Sequence, residues 1–227
     1  MFQRIRIIGR GRVGSALAAR LEAGGHTLRE DEPDLVVLCV PDTAIPEVAG
    51  AQAIGPWICH MSGATPLAAC APHTRRFSLH PLQTFRRDGG PEQFDNSWGA
   101  IGAETPAAAA GASWLGRQLG LRTFEIDESQ RALYHLGATM ASNYLVTLYR
   151  LAGLALAKAG APAAALVPLM RRTIDNDFDL TGPIARGDWA TVNMHLQALR
   201  AHVPEAEAVY VSLAEATVRS LQSEGTE

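Results

Sequence analysis

A glycine-rich turn with a strand before it and a helix after it limits the start of this chain to very few folds. Residues 4–8 (Arg-Ile-Arg-Ile-Ile) have strand character, and Gly9-Arg10-Gly11-Arg12-Val13-Gly14 follows at once. An Ala/Leu-rich helical stretch then begins at Ser15 and runs to Leu21. In that setting Gly9 permits the tight turn, Gly11 lets a pyrophosphate approach the backbone, and Gly14 lets helix and strand pack closely. The N-terminus of the helix offers its free N–H groups to the anion. A glycine-rich turn without a ligand is the competing reading, and the flanking strand and helix weigh against it.

The continuation is short. Only nineteen residues separate Gly14 from Asp34, where the next strong strand begins. A dinucleotide site normally has a second strand whose end carries a residue for the adenine ribose. His26 to Arg29 could be that strand, with Glu30 for a ribose hydroxyl and Arg29 for a 2′-phosphate. Returning to a further parallel strand takes about a dozen residues, and only Glu30 to Pro33 remain. The chain therefore either runs a stub beside the first strand or passes from the first helix straight into Asp34–Val40. Either way the adenosine wall is reduced, and cofactor affinity is expected to be weak or lost.

Beyond this point the first half alternates strands and helices. Asp34 to Val40 is a continuous apolar run closed by Pro41, as expected of a parallel strand covered on both faces. A short helix is predicted for Thr43–Ala53, strands for Trp57–His60 and Arg75–His80, and a helix from Thr65. Ser97–Ala103 and Arg122–Ile126 read as strands flanking an Ala-rich helix, Pro106–Leu119. The pattern predicts an α/β, Rossmann-like, doubly wound parallel sheet, shortened after its first βα unit. The second half has no convincing strand. Helical patterns cover Glu128–Ala159, Pro162–Asp177 (with a kink expected at Pro168), Trp189–Ala201 behind Asp188, and Pro204–Leu221. The expected division is a dinucleotide-binding domain over residues 1–127 and an all-α domain over 128–227.

Charge and composition exclude several partners. Twenty Lys and Arg against 23 Asp and Glu give a net charge of −3 without a basic stripe, so neither nucleic acid nor an anionic membrane is expected. The longest apolar run, Leu151–Ala157, is too short to span a bilayer, and the N-terminus lacks a signal-peptide pattern. Cys39, Cys59 and Cys70 have no metal-like spacing, and buried thiols in a reducing cytoplasm are the favoured reading. Four histidines (His60, His80, His135 and His195) form no local two-ligand motif, so no metal is expected.

Three groups of residues could carry chemistry. His60-Met61-Ser62-Gly63 and His80-Pro81 each close a predicted strand, at the sheet edge where ligands bind in open α/β folds. The imidazoles could equally serve only to hydrogen-bond loop backbone. On the long helix, His135, Thr139, Ser142, Asn143 and Arg150 share an arc of about 100° at helical spacing, and between Ala132 and Ala157 the only charge is Arg150. Such an uncharged polar stripe suits a cleft or a subunit interface better than bulk water. In Leu180–Asp188, a Gly182-Pro183 turn and an Asp188 cap present Arg186 from a loop, either to grip a carboxylate or phosphate or as an exposed arginine of a well-formed turn.

Taken together, Gly9–Gly14, Val40-Pro41-Asp42, His60–Gly63, Leu79-His80-Pro81, Tyr134-His135, Ala141–Tyr144 and Leu180–Asp188 resemble a family of oxidoreductases. Its members pair a Rossmann-like domain with a helical C-terminal domain of unknown function. The family is allied to ketopantoate reductase, pyrroline-5-carboxylate reductase and 6-phosphogluconate dehydrogenase. The resemblance implies an NADP or NAD cofactor held by Gly9, Gly11, Arg12, Val13, Gly14, Val40, Pro41, Ser62 and Gly63. It also implies an active site in a cleft between the domains and a homodimer through the helical domain. It names no substrate, and the expectation from the residues is a small carbonyl or imine compound near His80, Thr139, Ser142 and Arg186. The dimer expectation has its own support in Leu151–Met170, which carries one charge in twenty residues. The allied dehydrogenases pair a Lys with an Asn one helical turn later. Asn143 matches that Asn, but Thr139 stands at the Lys position, so His135 is the expected proton donor and Asn143 the residue that orients the substrate. The alternative is a non-catalytic ligand-binding protein that keeps the fold and the phosphate cradle.

Overall fold

The computed structural model of the protein describes residues 1–224. It divides into two compact units, residues 1–141 and the helical remainder from Ser142. The first unit is built on a seven-stranded sheet of order β2-β1-β3-β4-β5-β6-β7. Its strands are β1 (Arg4–Ile8), β2 (Thr27–Leu28), β3 (Leu35–Leu38), β4 (Trp57–His60), β5 (Arg76–Leu82), β6 (Trp98–Ala103) and β7 (Arg122–Glu125). Helices α1 (Arg12–Ala23) and α3 (Pro106–Leu119) cover one face, where Leu17, Leu21, Leu115 and Leu119 join Ile5, Ile7 and Val37 in one core. Fully burying Leu17 and Leu21 contributes about 2 kcal/mol each. On the opposite face α2 (Ile45–Gly50) sets Ile45 and Ala49 against Val36, Leu38 and Ile58. Coverage on both faces is why β3 is apolar at every position.

The short continuation is resolved as a stub. β2 has two residues and pairs only with Arg4 and Ile5, at the beginning of β1. The chain then passes beneath β1 through residues 29–34 and starts β3 opposite Ile5. The ends are fixed by backbone bonds from Arg29 N to the Ile5 carbonyl and from Asp34 N to the Arg4 carbonyl, each 2.9 Å. The Asp34 carboxylate accepts from Gln3 N and Arg4 N, both at 3.0 Å. Crossing two strand spacings takes about 10 Å, well inside the reach of six extended residues at about 3.3 Å each. No crossover helix is needed because β2 climbs so little of the sheet.

Several expectations change in the structure. β1 to β5 are parallel, but β6 runs antiparallel to β5, and β7 is parallel to β6. The link from β5 to β6 contains one 3-10 turn, Pro91–Phe94, and no α-helix to carry the chain back for a parallel return. β5 continues through Pro81 to Leu82, beyond the end of its pairing with β4 at Ser78, where a missing N–H is tolerated. The helix expected from Thr65 is a single 3-10 turn, Leu67–Cys70. All three cysteines are free, and burial raises the thiols of Cys39 and Cys59 far above their ordinary range.

Past the sheet, α4 (Arg131–Thr139) leads through a π-helical segment, Met140–Tyr144, into α5 (Leu145–Lys158). A π-turn takes up more residues per turn than α geometry, so a stripe drawn at helical spacing from His135 does not continue to Arg150. The second unit adds α6 (Leu166–Asp175), α7 (Trp189–His202) and α8 (Glu207–Glu224). Pro168 lies in the first turn of α6, where a missing N–H costs nothing, behind a 3-10 turn at Ala163–Ala165. Asp188 caps α7, accepting from Thr191 N at 3.1 Å. No helix among the described residues is long and apolar enough to cross a membrane.

Candidate functional site

The winding of the sheet reverses at β1, which has β2 on one side and β3 on the other, so the crevice of the fold lies at the C-terminal ends of β1 and β3. The Gly9–Gly14 turn sits there. Gly9 has φ 95°, and a Cβ on it would collide with the Cys39 carbonyl and come within 3.2 Å of Val40 Cγ1. A Cβ on Gly14 would overlap the Gly9 carbonyl oxygen, so this glycine is what lets α1 start against the turn. Gly11 is different: a Cβ there would meet nothing within 4 Å. Gly11 is also the N-cap of α1, no side chain caps it, and no acidic residue lies in the first turn. Arg12 is exposed and Val13 half-buried behind it. Open backbone, an uncapped helix and no carboxylate fit a pyrophosphate. The adenosine side fits less well, because Glu30 accepts from Arg6 Nε at 3.1 Å and the wall after β2 is absent.

Further along the same sheet edge, the ends of β4 and β5 meet the start of α4. Arg131, 3% exposed, fastens the three together. Its guanidinium donates to Ser78 Oγ on β5 at 2.8 Å, to the Ser62 carbonyl after β4 at 3.4 Å, and from Nε to Glu128 Oε1 at 3.0 Å. Its Nη2 also donates to that same Glu128 oxygen. Glu128 Oε2 accepts from Leu67 N at 3.0 Å, which ties in the 3-10 turn as well. Gly102 on β6 leaves room for this ion pair, since a Cβ there would strike the guanidinium.

Around this anchor stand three imidazoles. His60 is fully buried; its Nδ1 accepts from Ser62 N at 3.3 Å, which places its proton on Nε2, and no described residue accepts from Nε2. Burial, then the nearby Arg131 charge, lowers His60 to about 4. His80 is lowered to about 4 by burial, then by His135 and Arg131. Its Nδ1 lies 2.6 Å from the Tyr134 hydroxyl, and burial raises that phenol to about 12. His135 is half-buried with its ring centroid 6.2 Å from that of His80. Gly63 lies between these two rings: a Cβ there would be 2.9 Å from His135 Cδ2 and 2.9 Å from His80 Cε1 and Nδ1. The Ser62 hydroxyl closes its own turn, donating to Thr65 Oγ1 at 2.9 Å and accepting from Ala64 N and Thr65 N.

Of the residues singled out in the sequence, the structure groups Gly9, Gly11, Gly14 and Val40 at the turn, and Ser62, Gly63, His80 and His135 at the imidazole cluster. Pro41 is exposed after β3, and Thr139 is half-buried at the end of α4. Ser142 and Asn143 lie on the π-segment, at the start of the second unit, where Ser142 Oγ is 3.4 Å from Asn143 Oδ1. Arg186 donates to the Thr181 carbonyl and so closes its own loop. His195 bonds the Tyr210 hydroxyl at 2.9 Å, a packing role. Arg131, Glu128 and Tyr134 went unremarked as site residues. The signal available was a Glu-x-x-Arg pair just ahead of a helix otherwise nearly free of charge.

Comparison with known proteins supports the same fold. A Bacteroides fragilis protein provisionally described as an NADP oxidoreductase superposes with a TM-score of 0.78 at 23% identity, over 96% of this chain and 98% of its own. A Thermotoga maritima protein does so with a TM-score of 0.78 at 22% identity, over 98% and 100%. A reductive aminase from Aspergillus terreus, solved with NADPH and ethyl levulinate, reaches 0.66 at 18% identity, over 98% and 95%. At these identities the likeness establishes the fold alone, a Rossmann-type sheet followed by a helical C-terminal part. No curated protein matches the chain. A family known as a domain of unknown function, DUF2520, matches residues 98–217, more than half of the chain, and the protein belongs to that family.

Proposed function

We propose that this protein is an NAD(P)-dependent oxidoreductase acting on a small carbonyl or imine compound. The observation that carries the reading is the Gly9–Gly14 turn at the switch point of the sheet, with an open backbone at Gly11 and an uncapped α1 behind it. Gly11 to Gly14 would hold the pyrophosphate, and Val40, Pro41, Ser62 and Gly63 would border the nicotinamide. When bound, the cofactor supplies or accepts the hydride. The chain's own part is to place a proton donor beside the reacting carbonyl oxygen or imine nitrogen. His60 and His80 are held neutral by burial and by Arg131, so neither brings an imidazolium proton at neutral pH. The proton donor we assign is His135, half-buried on α4 beside the His80 ring, with Thr139 one turn further along the helix.

Calorimetric titration with NADPH, NADH and ADP-ribose tests the reading. Binding of at least one is expected, weakened about tenfold or more by Gly11→Ala while the melting temperature falls by no more than about 4 °C. Binding of none of the three would overturn it.

We also propose that the helical unit pairs with a second copy. Support comes from an apolar groove of about 560 Å³ lined by Leu148, Leu151, Leu199, Val209 and Leu213. Leu169, Phe178 and Met194 are exposed in the same unit at 62%, 69% and 60%. A monomeric mass by light scattering at micromolar concentration would exclude the pairing.

A further inference from the structure

His80 and Tyr134 form a linked pair. The phenol oxygen lies 2.6 Å from Nδ1, the two rings meet edge to face at 5.6 Å, and Phe124 supports the tyrosine ring from behind at 5.9 Å. Either partner could in principle be the donor. A phenol raised to about 12 and an imidazole lowered to about 4 are both neutral at neutral pH. His80 Nδ1 is the only described partner of the Tyr134 hydroxyl, so donation of the O–H to Nδ1 is the arrangement that gives the phenol proton an acceptor within the fold. A neutral imidazole that accepts at Nδ1 carries its one proton on Nε2. The groups facing His80 are His135 and Arg131 from α4 and Asp42 after β3. The guanidinium among them is paired with Glu128. No described residue bonds His80 Nε2.

We propose that Tyr134 is a positioning residue that holds His80 as its Nε2–H tautomer, so that His80 acts as a fixed hydrogen-bond donor to an acceptor atom of the substrate. This rests on the oxidoreductase reading above and narrows its substrate class. A donor at that point favours a carbonyl or carboxylate oxygen and opposes a protonated amine or an iminium, which offer only N–H donors. His80 then orients the substrate while His135 exchanges the proton, and the two imidazoles have separate duties despite their 6.2 Å spacing. The absence of a side chain at Gly63 lets both rings stand at one place.

The test begins without any substrate. Two-bond 15N–1H correlation spectra of the histidine-labelled protein, assigned with His80→Gln, report the tautomer of His80. The expected result is the Nε2–H pattern with no titration between pH 8 and 5.5. Tyr134→Phe keeps the ring packing and removes only the donor, so His80 should then show a mixture of tautomers. A wild-type Nδ1–H pattern, a charged His80 at pH 7, or an Nε2–H pattern unmoved in Tyr134→Phe would each overturn the proposal and leave the oxidoreductase reading intact. Conversely, failure to bind any nucleotide would sink that reading while the tautomer result still stands. With a carbonyl substrate found by screening against NADPH and NADH, Tyr134→Phe should raise KM about fivefold to tenfold with a smaller change in kcat, the effect of loosening one hydrogen bond. A fall in kcat at constant KM would place Tyr134 in the chemical step and refute a positioning role.

Discussion

Substitution of Gly63 by alanine gives the sharpest test of how the imidazole cluster is built. The backbone at Gly63 lies outside the left-handed region, so an alanine is conformationally acceptable and the added methyl is the whole perturbation. That methyl would sit 2.9 Å from His135 Cδ2 and from His80 Cε1 and Nδ1. Non-bonded carbons prefer about 3.5–4.0 Å, so each ring must withdraw by about 0.6 Å. His80 is held by the 2.6 Å bond to Tyr134, which directly precedes His135 on α4, so the rings cannot both retreat without moving the helix or breaking that bond. Overpacking of this kind costs about 1–3 kcal/mol. A proton donor displaced by more than half an ångström should also lose about tenfold in turnover, since about 1 Å of misplacement can cost a hundredfold. Gly11→Ala is the control with the opposite signature. Its φ of −75° suits alanine and its surroundings are open, so the only expected cost is a poorer N-cap, at most about 1 kcal/mol, while nucleotide binding falls. Urea unfolding, read as a shift in midpoint at constant slope, measures both. A Gly63→Ala protein as stable as the wild type, with unchanged histidine resonances, would refute the packing described for the cluster.

Three further outcomes are expected. His60 and His80 are lowered from 6.5 to about 4, so the unfolded chain binds more protons than the folded one between these values. Their contribution to stability is therefore complete above pH 6.5 and lost as the pH falls towards 4, with about 2 kcal/mol per histidine gone by pH 5. Urea unfolding at pH 7 and pH 5 reads this loss, and His80→Gln should lessen it; equal stability at both pH values would contradict the burial of the two rings. Glu128→Ala leaves a guanidinium only 3% exposed without its carboxylate and should cost about 3–5 kcal/mol. A loss under 1 kcal/mol by chemical denaturation would mean that Arg131 is solvated. With Glu30 held by Arg6 and no wall after β2, NADH and NADPH should bind weakly and within about tenfold of each other, since each tenfold is only about 1.4 kcal/mol. Tight binding with strong selectivity for NADPH by calorimetry would point to another source for the missing wall.

The parts of this fold legible in the sequence are those in which local residues determine local geometry. Gly9–Gly14 could be placed because strand, turn and helix are contiguous, and Trp57–His60 because an apolar run between turns has one natural reading. The direction of β6 was not legible, since strand polarity is set by the connection, and Gln83–Ser97 gives no periodic signal. The π-segment escaped because a spacing of about 100° per residue was applied throughout the helix. Within the site, Ser62, Gly63, His80 and His135 were visible as chemistry-bearing residues at strand ends or on a polar stripe. Arg131 was not, because its burial depends on Ser78, Ser62 and Gly102, supplied by three other segments. Tyr134 was legible only as part of the Tyr134-His135 motif, because its bond to His80 depends on α4 meeting the end of β5.

The crossover beneath β1 makes this chain a natural host for insertion. The segment 29–34 enters and leaves at neighbouring points of the sheet, fixed by Arg29 on Ile5 at one end and by Asp34 on Gln3 and Arg4 at the other. Glu30, Asp31 and Glu32 between those anchors are exposed and lend nothing to either core. A longer strand and a helix could be spliced there without changing the register of β1 with β3, because a lengthened surface loop costs only about 0.6 kcal/mol per doubling. Such a graft would have to bring its own apolar face, and it would offer a place to add a ribose-recognising side chain beside the Gly9–Gly14 turn without altering the imidazole cluster.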